Sequence, residues 1–182
     1  MVSATTGPRT RRVRLLAVVL SLTTAAGVSV AAGHPAAAVP VADVLVSPEG
    51  FSNWAIYRSR AYIHGLTNLE RTNRGLPPLG FSGALTTACQ VHANDMAAMR
   101  RMTHTGSDGS NGGTRARRYG FSWSTWGENV AAGYRSSQSL VAAWMGSSGH
   151  RANILSRNFT HMGIGLQRGR NGVNYFCMVL AR

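Results

Sequence analysis

The sequence predicts an α+β domain in which amphipathic helices cover an antiparallel sheet. Two observations carry that expectation. From residue 54 onward apolar residues recur at helical intervals, whereas near the end of the chain the pattern changes to alternation. Helices first and strands late, with no repeat period along the chain, argue for helices packed on a sheet of sequence-local strands.

The first forty residues read as an export segment. Arg9, Arg11, Arg12 and Arg14 precede an apolar run over residues 15–32, and small residues end at Ala36, Ala37 and Ala38. Cleavage after Ala38 is expected, which makes residues 1–38 a signal peptide and places the mature chain in a secreted, extracellular setting. Ser21, Thr23, Thr24, Gly27 and Ser29 weaken the apolar run as a permanent membrane anchor, the alternative reading. Thr10-Arg11-Arg12 resembles a twin-arginine signal, but Arg14 stands where that signal usually has an aromatic. Residues 39–53, with Pro40, Pro48, Gly50 and Asn53, read as a linker. The domain then occupies residues 54–182.

Within the domain, Ile56, Tyr62, Ile63, Leu66 and Leu69 form the apolar face of a first helix that starts near Trp54. Gly75 and the Pro77-Pro78 pair stop it. Ser82 is the expected N-cap of a second helix, whose stripe is Leu85, Ala88, Cys89, His92, Met96 and Met99. Residues 105–113 hold Gly106, Gly109, Gly112 and Gly113 and read as a loop, with a short helix after them at residues 114–119. Another helix is expected over residues 136–147, carrying Leu140, Val141 and Trp144 and ended by Ser148-Gly149. Met162, Ile164 and Leu166 alternate in a strand over residues 159–167, a turn covers 168–172, and residues 173–180 complete a hairpin.

Charge and cysteine content narrow the function classes. The formal net charge is +13, and all nineteen basic residues are arginine. Without the four leader arginines, fifteen still face six acids. That balance favours anionic partners such as envelope lipid or wall polymer, or nucleic acid through general electrostatics. The arginines are scattered, as at Arg58, Arg60, Arg71, Arg74, Arg100, Arg101, Arg115, Arg117 and Arg118, and form no specific nucleic-acid motif. Cys89 and Cys177 are a disulfide candidate in an exported chain, or else two small buried hydrophobes. No paired-cysteine metal spacing is present.

Four stretches in order give a more specific signal. They are residues 68–79 (NLERTNRGLPPL), residues 92–96 (HANDM) with Met102-Thr103-His104 behind them, Gly127-Glu128-Asn129, and Trp144-Met145 leading to residues 149–155 (GHRANIL). In order and spacing the sequence resembles the CAP superfamily: cysteine-rich secretory proteins, venom antigens, pathogenesis-related proteins and bacterial secreted proteins with SCP-like domains. The resemblance spans nearly all of the expected mature chain. It implies an α-β-α sandwich with a cleft lined by two histidines and acidic residues. His104 then corresponds to the first cleft histidine, Glu128 to the acid and His150 to the second histidine. Many eukaryotic members carry a further glutamate three residues after the tryptophan, where this chain has Ser147.

Those residue types suit a site on chemical grounds as well. Neutral imidazoles are common zinc ligands, and a nearby carboxylate can orient a ring, ligate, or take a proton from bound water. His104 and His150 are therefore the candidate metal ligands, with Zn the candidate cofactor. Glu128 is the candidate base if the chain is an enzyme. Each also has an ordinary structural reading: His104 bonded to backbone at a helix exit, Glu128 paired with an arginine, His150 in part a helix cap. His92 and Asp95 read as packing and capping groups, His161 as solvent-facing, and Asn129 and Asn153 as amides that hold loop backbone. Trp144 reads as a core anchor, and Trp123 and Trp126 as either core or rim. The leading expectation is a non-enzymatic extracellular module that binds a small ligand or divalent metal in a His/Glu cleft. The alternatives are a metal-assisted peptidase or cell-wall hydrolase and an electrostatic binder of anionic polymer or nucleic acid.

Overall fold

A computed structural model describes residues 53–182. The expected signal peptide and all of the linker but Asn53 lie outside the described residues. Nine elements follow in order: α1 (Asn53–Thr72), β1 (Gly80–Phe81), α2 (Gly83–Met99), α3 (Gly112–Arg118), β2 (Trp126–Ala132), α4 (Ser137–Gly146), α5 (Ser148–Leu155), β3 (His161–Arg168) and β4 (Asn174–Ala181).

The strands form one sheet in the order β1-β3-β4-β2. β4 pairs antiparallel with both β2 and β3. β1 pairs parallel to β3 through Gly80 and Phe81, so the sheet is mixed rather than wholly antiparallel as expected. Alternation along β4 distributes its side chains to two cores. Phe176, Met178 and Leu180 join Ile63, Leu140, Trp144 and Ile154 on the side of α1, α4 and α5. Tyr175, Cys177, Val179 and Ala181 join Leu85, Cys89, Met96 and Ala116 on the side of α2 and α3. The result is an α-β-α sandwich.

The helix-sheet spacing is unusually short where α2 crosses β3. Met162, Ile164 and Leu166 point into the first core, and Gly163 and Gly165 face α2. A Cβ at Gly163 would fall on the α2 backbone at Leu85 and Thr86, and one at Gly165 on the backbone at Cys89 and Gln90. No residue with a side chain fits at either position without moving the helix.

Two polar residues of the first motif serve the fold. Asn68 grips Leu79 at both ends, its Oδ1 accepting from the Leu79 N–H at 2.8 Å and its Nδ2 donating to the Leu79 carbonyl at 3.0 Å. Arg71 is buried and donates to the carbonyls of Pro77, Ile154 and Ser156 at 2.9, 2.7 and 2.8 Å. Together they bind α1 to the loop that leads into β1, and to the end of α5. Gly75, at φ +66°, lets the chain reverse after α1.

Ser82 caps α2 as expected, its Oγ accepting from the Leu85 N–H. Two local expectations need correction. Gly112 and Gly113 belong to α3 rather than to the preceding loop; the helix packs so closely there that a Cβ at Gly112 would strike Glu128 and Trp126, and one at Gly113 would strike Trp126 and Trp123. Asn111 supplies the N-cap, accepting from the Thr114 N–H at 2.8 Å. Ser148 and Gly149 do not end a helix. They begin α5, and Ser147 closes α4 and opens α5 in a single extended residue.

Candidate functional site

Glu128 is the third residue of β2, an edge strand, and pairs in register with Val179 of β4. Neighbours along β2 face opposite layers. Gly127 and Asn129 turn toward α5, where Asn153 donates to the Glu128 carbonyl at 3.2 Å and to Asn129 Oδ1 at 2.9 Å. Asn129 in turn donates to the His150 carbonyl at 3.1 Å. The two asparagines thus fasten the start of α5 to the edge strand, in keeping with a backbone-holding role.

The Glu128 side chain points the other way, into the α2 and α3 layer, and is almost wholly buried. Its Oε1 accepts from His104 Nδ1 at 2.9 Å, and its Oε2 accepts from Arg115 Nη2 at 2.5 Å. The Cys177 thiol approaches Oε2 as well, at 3.6 Å. Arg115 is itself buried. It also donates to the Ser110 carbonyl at 2.7 Å and to the His104 carbonyl at 3.2 Å, so one guanidinium fixes both the acid and the backbone of the histidine. His104 differs from both partners, with 58% of its side chain exposed.

A carboxylate only accepts, so the His104–Glu128 contact places a proton on Nδ1 and leaves Nε2 as the outward-facing nitrogen of the ring. The bond to Glu128 raises the His104 pKa above its ordinary 6.5, against the opposing effects of burial and of Arg115. For Glu128, burial is the largest influence and would raise its pKa. The His104 bond and the Arg115 charge outweigh it, and the net shift is downward.

His150 is the third residue of α5 and half-buried. Its ring makes no hydrogen bond among the described residues. Burial lowers its pKa, and the charge of His104 lowers it further, which puts the two rings within electrostatic reach of each other. The structure therefore joins His104 directly to Glu128 and places His150 on α5, across the edge strand, without a hydrogen bond to the acid. A ring-resolved NMR titration is expected to show His104 titrating above 6.5 and His150 below it, so that at any pH near 6.5 the first ring carries more charge than the second.

The remaining sequence candidates fall outside this site. His92 is fully buried and bonds the Thr103 carbonyl at 2.7 Å, which holds the segment leading to His104 against α2. Asp95 accepts from the Ser107 N–H at 2.7 Å. His161 is exposed and meets Phe121 edge-on. Trp144 is buried and donates to the Val130 carbonyl. Trp123 and Trp126 pack edge to face, and Arg117 lies 3.9 Å over the Trp123 ring. Cys89 and Cys177 are free thiols rather than a disulfide, and both are buried; the Cys89 thiol donates to the Gly163 carbonyl at 3.2 Å, and burial raises the Cys177 pKa well above its ordinary value. Cys89 Sγ also accepts from the Val179 N–H. Sequence reasoning allowed Glu128 an arginine partner but did not single out Arg115.

Over residues 64–180 the sequence matches the model of the CAP, or cysteine-rich secretory protein, family. The chain belongs to the CAP family. YkwD, an uncharacterized protein of Bacillus subtilis (strain 168), is 38% identical over 100 residues, covering 55% of this chain and 39% of that protein. YlbC, an uncharacterized membrane protein of the same strain, is 28% identical over 110 residues, covering 60% of this chain and 32% of that protein. The chain's match thus spans between 32% and 39% of these relatives. Among solved structures, an extracellular protein containing a SCP domain from Bacillus anthracis str. Ames superimposes with a TM-score of 0.65 at 24% identity, covering 72% of this chain and 44% of that one. An outer surface protein from Borrelia burgdorferi gives a TM-score of 0.67 at 17% identity, covering 74% of this chain and 97% of that one. At these identities the likeness concerns the CAP fold.

Within the CAP frame, Ser147 occupies the place where many eukaryotic members carry a second acid, and here it is the residue shared by two helix ends. The donor set available to a metal is correspondingly small. Both oxygens of Glu128 are engaged, and among the described residues no group of three or more His, Cys, Asp or Glu is placed to hold a metal ion. Glu128 orients the His104 ring from behind through its Oε1.

Proposed function

We propose that the chain is a secreted CAP module that works by binding, with His104 and His150 as the groups that meet a small ligand or a divalent metal. One observation carries the reading: Glu128 is buried, and each of its oxygens is held, one by His104 and the other by Arg115. A general base must reach the proton it removes. Glu128 could do so only by giving up the counterion of a buried guanidinium, so its place favours positioning over catalysis. Bound zinc would supply an electrophilic centre with open positions, and the role of this chain would be to present Nε2 of His104 in a fixed direction beside His150.

Export is supported by the basic, apolar and small-residue order of residues 1–38, and by structural neighbours described as extracellular and outer-surface proteins. The arginine excess supports retention near an anionic envelope.

Calorimetric titration of the full chain with zinc is the direct test. Saturable binding at one equivalent is expected, with loss of at least about tenfold in affinity in the His104→Ala/His150→Ala double variant, in line with two lost ligands. Unchanged zinc affinity in that variant removes the two imidazoles from the proposal. Hydrolysis of peptide or wall polymer that disappears in Glu128→Gln, while the variant stays folded, favours the hydrolase instead.

A further inference from the structure

The C-terminal end of α2 and the turn between β3 and β4 border an open cavity of about 570 Å³, lined by Arg100, Arg168 and Arg170 with Asn94 and Gln167 among the other residues. It shares no lining residue with the His104, Glu128 and His150 site. Three arginines at one cavity repel one another unless an anion sits between them. Among the described residues no carboxylate lines the cavity. The four acidic side chains of residues 53–182 are engaged elsewhere: Glu70 with Arg74, Asp108 with Arg118, Glu128 with His104 and Arg115, and Asp95 with the Ser107 N–H.

The backbone adds an independent sign. Arg100 follows α2 in the left-handed conformation, φ 54° and ψ 32°. Among the described residues every other positive φ belongs to a glycine, at Gly75, Gly109, Gly120, Gly133 and Gly172. Glycine is the residue that adopts this helix-ending conformation without a Cβ clash. A basic residue near the negative end of a helix is an ordinary arrangement, but that attraction operates over the whole last turn and does not require the strained position itself. Strain of this kind persists where a side chain is needed at that point, and here the side chain in question lines the cavity.

We infer that this cavity is an anion site for a phosphate group, held by Arg100, Arg168 and Arg170, the phosphate being carried by a soluble polyol phosphate or by a lipid headgroup. Guanidinium forks match phosphate oxygens, and a phosphate has enough oxygens to engage more than one fork, whereas a carboxylate has two. The cavity exceeds what a bare phosphate fills, which leaves room for the polyol on which it is carried. The inference does not rest on the imidazole site.

Titration of the full chain with glycerol 3-phosphate at constant ionic strength, with acetate as the matched control, tests it. A second arm uses phosphatidylglycerol vesicles against phosphatidylcholine vesicles. Glycerol phosphate is expected to bind and acetate not to, with affinity falling by about tenfold or more in Arg168→Gln/Arg170→Gln, as expected for lost charge-assisted hydrogen bonds. Arg100→Gly is the decisive variant. It should lose phosphate affinity while its Tm stays at or above that of the wild type, because glycine relieves the left-handed residue. The His104→Ala/His150→Ala variant should bind phosphate as the wild type does. Tighter binding to anionic vesicles than to glycerol phosphate identifies the lipid source, and the reverse identifies the soluble one. Glycerol phosphate binding no better than acetate together with no preference for phosphatidylglycerol over phosphatidylcholine vesicles, or full affinity in a folded Arg100→Gly, overturns the inference.

Discussion

Gly165→Ala is expected to destabilise the domain by about 3 kcal/mol or more, the upper end of what overpacking costs. The added methyl would have to occupy the position of the α2 backbone at Cys89 and Gln90, and a helix backbone cannot rotate aside as a side chain can. α2 would move off β3, which would open the second core at Leu85, Cys89, Val179 and Ala181. Gly163→Ala should act in the same direction through Leu85 and Thr86. The control is Gly65→Ala in the exposed part of α1, where a Cβ meets nothing within 4 Å and gains about 1 kcal/mol of helix propensity. Urea unfolding midpoints of the three variants check the prediction. Equal effects at Gly165 and Gly65 would mean that α2 does not ride on β3 in the way described.

The same close approach explains what the sequence could and could not disclose. Helices α1 and α2 are legible because their apolar residues recur along one face and because Ser82 and Gly75 mark a start and a stop. The β3–β4 hairpin is legible from alternation. Gly112 and Gly113 misled for a physical reason: glycine usually signals freedom of the backbone, but there it signals lack of room beneath Trp126 and Glu128. β2 gave no strand signal, because buried Glu128 and Asn129 interrupt its apolar pattern at the positions where the site is built. A buried polar pair reads locally as a loop, and only its partners on α3 and α5 account for it.

The site was legible to different depths. His104, Glu128 and His150 came from spaced motifs, whereas the hydrogen bond between the first two is a tertiary fact with no local trace. Arg115 was invisible for a related reason. It stands in a run with Arg117 and Arg118, and nothing in their spacing tells which one is inside. The cap at Asn111 sets the phase of the short helix so that Arg115 turns toward Glu128, while Arg117 lies on Trp123 and Arg118 pairs with Asp108 at the surface.

Glu128→Gln should therefore reveal more than loss of a carboxylate. The variant leaves the buried Arg115 guanidinium without its counterion, at an expected cost of about 3–5 kcal/mol. The cost should depend on pH in a way that identifies both partners. Glu128 has a lowered folded pKa, so its contribution is complete above the unfolded value of 4.5 and is lost as pH falls through the lower folded value. His104 has a raised folded pKa, so its smaller, solvent-screened contribution is complete below 6.5 and is lost as pH rises through the higher folded value. The difference between wild type and variant should then be greatest between about pH 4.5 and 6.5 and shrink on either side. Neutral, buried His92 loses stability as pH falls below 6.5, but it does so in both proteins and largely cancels from the difference. In the variant, burial and Arg115 act on His104 without the opposing carboxylate, so its pKa should drop from above 6.5 to below it. Denaturant unfolding across pH, together with NMR of the His104 ring, checks both statements. A His104 ring that titrates unchanged in a folded Glu128→Gln would show that the acid does not hold the imidazole, and the directed Nε2 on which the proposed ligand binding depends would lose its support.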